Sequence, residues 1–105
     1  NLVRRAHEKG YVVHLLFFWL KDSDMAKQRV AARVARGGHN IPLPVIERRY
    51  KAGLRNLFEI YMNEVDLWIL YDNCDRIGVR VAFGGKRTPT KINDKLKFQK
   101  IQNYE

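Results

Sequence analysis

YVVHLLFFWL, residues 11–20, is the longest apolar run in the chain, interrupted only by His14 and bounded by Lys9 and Lys21. It is too short to cross a bilayer as a helix, which takes about 20 apolar residues. Its β-branched and aromatic content suits a strand buried on both faces, as in a parallel sheet. A second run, LWILY at residues 67–71, has the same character and stops at Asp72-Asn73. Helical patterns lie between the two. Asp22 or Ser23 can cap a helix reaching Arg36, which Gly37-Gly38 ends. The prolines and glycines of residues 37–44 predict a loop, and the spacing of Ile46, Tyr50, Leu54, Leu57, Phe58 and Tyr61 predicts a long helix over 45–62.

Outside this block, residues 2–9 read as a helix stopped by Gly10. Residues 79–83 read as a short third strand closed by Gly84-Gly85, 86–90 as a loop, and 92–104 as a basic amphipathic helix. Two-faced apolar strands joined by helical crossovers imply parallel strands with helices on both faces. Two or three strands do not complete such a sheet, so the N-terminal half of the fold is expected to be absent. The start at Asn1, with neither a signal nor a transit pattern behind it, reads as the interior of a longer chain.

In a chain of 105 residues, 46% hydrophobic content supports a packed core rather than a disordered tail. With 20 Lys and Arg against 11 Asp and Glu, the formal charge of +9 points to an anionic partner: a nucleotide, a nucleic acid, a phospho-sugar or an acidic protein. Cys74 is the single cysteine, which rules out an internal disulfide and makes a reducing, cytoplasmic compartment the expectation. His7 and His14 share no metal-like spacing with it, so no metal site is expected.

Arg29, Arg33 and Arg36 stand at i, i+4 and i+7 on one stripe of the first crossover helix. Like charges at that spacing cost an isolated helix about 0.2–0.5 kcal/mol per pair, which a bound polyanion would offset. Arg48 and Arg49 open the next helix across the Gly-Gly bend, so a short loop could fold the two groups of guanidinium forks together. Arg suits phosphate oxygens because its planar fork binds two at once. The competing reading, arginines on a solvated helix face, is the commoner outcome for any one of them.

The stretch RVAARVARGGHNIPLPVIERRYKAGLRNLFEIY (residues 29–61), followed by LWILYDN, resembles the zeta-toxin family, most of all its chromosomal branch of predicted ATPases. The resemblance covers residues 2–85. It implies an α/β fold: part of a three-layer P-loop NTPase-like kinase domain over 1–85, with a helical lid at 24–62 and a basic loop and helix at 86–105. It also implies ATP and Mg²⁺ as the intact protein's cofactors, a small-molecule phosphate acceptor, and an antitoxin as a partner. By position, Arg33 and Arg49 would contact the transferred phosphate, with Arg48 as a helper, Arg29 against the adenine or the α-phosphate, and Asp72-Asn73 on the adenine side. The family usually has Ser after that Asn, where this chain has Cys74. No G-x-x-x-x-G-K-[ST] occurs in the chain, and the family's carboxylate base would lie upstream. The chain alone is therefore expected not to transfer phosphate, since it has no loop amides for the β-phosphate and no hydroxyl for Mg²⁺.

Other candidates read as structural. His39 lies in the hinge loop, where a solvated or capping role is the simpler one. Cys74 is expected to pack rather than react. Lys91, Lys95, Lys97 and Lys100 form a basic C-terminal face that could bind nucleic acid, but a solvated face fits better because only Phe98 and Tyr104 offer stacking surfaces. The alternative to a kinase fragment is a stand-alone basic module for nucleic acid or an acidic protein.

Overall fold

A computed structural model describes residues 1–104. Helix α1 (Leu2–Glu8) is capped by the Asn1 side chain and leads into β1 (His14–Trp19). Helix α2 (Ser23–Ala35) starts where Asp22 accepts from the Met25 amide, as the sequence predicts. Helix α3 (Leu43–Asn56) follows, with prolines in its first turn. It continues through a π-helical turn (Leu57–Tyr61) into α4 (Met62–Glu64). Then come β2 (Leu67–Asp72), β3 (Val79–Gly85), β4 (Thr88–Ile92) and α5 (Lys95–Gln102).

The strands form one four-stranded mixed sheet in the order β1-β2-β3-β4. β1 and β2 are parallel, with His14 beside Leu67 and Trp19 beside Asp72. β3 is antiparallel to both of its neighbours, β2 and β4, which corrects the expectation of an all-parallel sheet. The reason is the connection after Asp72. It is too short for a helical crossover, so the chain turns back through a tight loop in which Arg76 and Gly78 take positive φ. β4 replaces the loop expected at 86–90. Its Pro89 hides the strand signal, but an edge strand tolerates a missing N–H. Gly85, at φ +145°, makes the hairpin possible.

One face of the sheet carries the core. Trp19, Trp68, Leu70, Val81 and Ala82 pack against Leu54 and Leu57 of the α3 segment, Ile101 of α5 and Val3 of α1. The π turn adds a residue in mid-helix, so that Leu57, Phe58 and Tyr61 all reach this core. The other face stays largely open: Leu16 is 51% exposed and Phe18 52%. The expectation of helices on both faces is corrected here as well. A continuous apolar run does not distinguish a strand covered twice from one covered once.

Asp66 is the buried polar hub, 7% exposed. Its Oδ2 accepts from the Val13 amide and lies 2.8 Å from His7 Nε2, while Arg87 Nε lies 3.4 Å from Oδ1. One carboxylate thereby ties α1, the start of β1 and the β3–β4 hairpin to the start of β2.

Candidate functional site: an arginine cleft at the carboxyl edge

The carboxyl ends of β1 and β2 lie side by side, because Trp19 is in register with Asp72 and the Asn73 amide donates to the Trp19 carbonyl. At this edge Phe18, Leu20, Arg29, Arg33, Arg36, Asn73 and Arg76 line a cleft of about 330 Å³. Arg29 and Arg33 come from one stripe of α2 and Arg36 from its C-cap. The fourth comes from the β2–β3 turn, where Arg76 sits at φ +64°. No carboxylate lines the cleft. Among the described residues neither Arg33 nor Arg76 has an acidic partner, whereas Lys27 is paired with Asp24 and Glu47. The lining is thus rich in arginine and without a counter-charge, with Phe18 and Leu20 as an apolar wall.

Arg29 has a separate task. Its Nη2 donates to the carbonyls of Asn73 (2.9 Å) and Cys74 (2.8 Å), which fastens α2 to the end of β2. The spent guanidinium nitrogen is a brace, and Arg33, one turn on, projects into the cleft that the brace holds open. Asp72 is engaged too. Its Oδ2 accepts from Lys97 Nζ at 2.6 Å and its Oδ1 from the Cys74 amide at 3.0 Å. Burial by itself would raise the Asp72 carboxyl. The Lys97 ammonium and the Cys74 N–H outweigh it and hold the group below the usual carboxylate range. In return, Asp72 raises Lys97. Burial and the same Asp72 carboxylate push the Cys74 thiol up, which disfavours the nucleophilic thiolate.

The sequence-predicted residues therefore separate. Arg29, Arg33 and Asn73 meet at the cleft. Asp72 is adjacent, its carboxylate committed to Lys97. Arg48 lies on α3 in another groove, with Glu47, Lys51 and Arg55. Arg49 is exposed and is not among the cleft's lining residues. Arg76 was not singled out by spacing, because it belongs to a turn and only the return of β3 brings it round. Lys97 read as part of a solvated face. Instead it reaches Asp72, with its ammonium 5.9 Å from the Trp19 ring centroid, while Phe98 meets Phe58 edge to face and Tyr104 stacks on Phe58.

The residues of the cleft fit the phosphates of a nucleotide. They do not fit Mg²⁺ directly, since the lining offers no carboxylate. No group of three or more His, Cys, Asp or Glu able to hold a metal ion occurs among the described residues, and no helix among them is long and apolar enough to cross a membrane. The chain matches no protein-family model, no curated protein and no solved structure.

Proposed function

We propose that this chain is the phosphate-clasping and adenine-side part of an ATP-dependent small-molecule kinase of the zeta-toxin type. The observation that carries the reading is the cleft itself: Arg29, Arg33, Arg36 and Arg76 gathered at the carboxyl edge of two parallel strands, with no acidic residue lining it. Open sheets bind ligands at that edge, and phosphoryl transfer is accelerated mainly by positive charge on the transferred group's oxygens. In this reading Arg33, Arg36 and Arg76 hold phosphate oxygens and Arg29 keeps the cleft in shape. Arg48 and Arg49 would join them only if the bend at Gly37-Gly38 closed. ATP would supply the phosphoryl group, and Mg²⁺ would be held by a phosphate loop that another segment contributes.

Calorimetric titration of the chain with ATP, AMP and adenosine tests this. Affinity should fall in that order, because the phosphates carry it. Arg33→Ala or Arg36→Ala should each weaken ATP binding about tenfold or more, the loss of a charge-assisted hydrogen bond worth about 1.5–3 kcal/mol. Adenosine binding as tightly as ATP, or both variants binding like the parent, would refute the reading.

A further inference from the structure

The sheet face that bears no helix has a composition of its own. Residues in register across neighbouring strands share a face. One row therefore runs from Phe18 on β1 through Tyr71 on β2 to Arg80 on β3. The next runs from Leu16 through Ile69 and Phe83 to Lys91 on β4. Phe18 and Tyr71 stack on each other with ring centroids 5.1 Å apart and an interplanar angle of 11°. The Arg80 guanidinium lies 5.0 Å from the Phe83 ring centroid. The two rows contain aromatic, aliphatic and cationic side chains and not one carboxylate. Phe18 also lines the arginine cleft, so the first row ends beside Arg33, Arg36 and Arg76.

Among the described residues β1 is the end strand of the sheet, with no strand on the outer side of Phe18, which is half exposed. A flat ring placed there would extend the stack that Tyr71 begins. An exposed aromatic ring on an open sheet, flanked by Arg and Lys, suits an unpaired nucleobase and its phosphates: every base has a π face, and the cations follow the backbone. A second copy of this chain is disfavoured as the occupant by its own +9 charge.

We propose that this open face binds single-stranded nucleic acid, with a base stacked on Phe18 and the neighbouring phosphates held by the cleft arginines on one side and by Arg80 and Lys91 on the other. The proposal requires neither ATP nor a phosphate loop, although it uses the cleft arginines that the kinase reading gives to phosphate.

Fluorescence anisotropy with labelled oligothymidine and oligouridine of roughly 12 nucleotides, within the range such surfaces cover, tests it. Both should bind, and the tighter of the two identifies DNA or RNA as the natural strand. A duplex of the same length should bind more weakly, because its bases are already stacked. Phe18→Ala should lower the affinity about fivefold or more, and Phe18→Tyr should keep it, as expected for stacking and not for a folding defect. Binding that Phe18→Ala leaves unchanged, equal binding of duplex, or displacement by polyglutamate as effective as by unlabelled oligonucleotide would overturn the proposal. The last outcome would instead identify an acidic-protein surface.

Discussion

Three residues give testable handles on the interior. The Tyr50 hydroxyl donates to the Leu20 carbonyl at 2.7 Å, where β1 has ended and that carbonyl has no strand partner. Tyr50→Phe should therefore lower unfolding stability by about 1 kcal/mol, read from urea denaturation. Asp66 and Asp72 set the acid limit. Hydrogen bonds from the Val13 amide and His7 lower Asp66, and Lys97 lowers Asp72 against the opposing push of burial. A carboxyl depressed in the folded state stabilises fully above its unfolded value of 3.8, and that stability is lost as pH falls through the folded value. Urea midpoints should thus hold from about pH 7 to 5 and drop below about pH 4. Asp66→Asn should be less stable at neutral pH and show a shallower acid limb; an unchanged limb would mean that Asp66 is not the titrating group. Nothing in the sequence around Asp66 marks it as a hub. Its partners at positions 7, 13 and 87 are brought to it only by the chain's return.

At the scale of elements, local signals worked where the chain speaks to itself. Asp22 caps α2, glycines end α1 and α2, and the apolar spacing of α3 locates the face that meets the sheet. They failed where an element's role depends on a distant neighbour. β4 reads as a loop because TPTKI has a proline and a lysine, and it becomes a strand by pairing with β3. The C-terminal lysines read as a solvated face, and Lys91, Lys95 and Lys100 are exposed, but Lys97 reaches Asp72; the amphipathic α5 closes the core through Ile101, which is 1% exposed. Ile101→Ala should cost about 2–5 kcal/mol, seen as a lower urea midpoint, because it empties a packed site. Gly85 combines φ +145° with no room for a side chain: a Cβ there would meet the Asp66 backbone at 2.2 Å. Gly85→Ala should cost more than about 1 kcal/mol and loosen the hairpin, which hydrogen exchange at β3 and β4 would report.

Over the whole molecule the sheet is lopsided, with helices on one face and an apolar end strand on the other side. An unpaired, half-exposed edge of this kind invites pairing with another chain. The +9 charge opposes that, so light scattering should rise when high salt screens the repulsion. Leu16→Lys, which puts a charge on the edge, should suppress the rise; scattering unaffected by salt or by the substitution would count against this account. The sequence by itself determined the α/β character, the two parallel strands, the helix caps and the stripe of arginines on α2, because each of these is written in residues close together along the chain. Only the tertiary structure decided that β3 and β4 turn back antiparallel, that one sheet face stays open, and that Arg76 rather than Arg49 stands beside Arg33. Those outcomes depend on which distant backbone groups hydrogen-bond to one another, and no local periodicity carries that information.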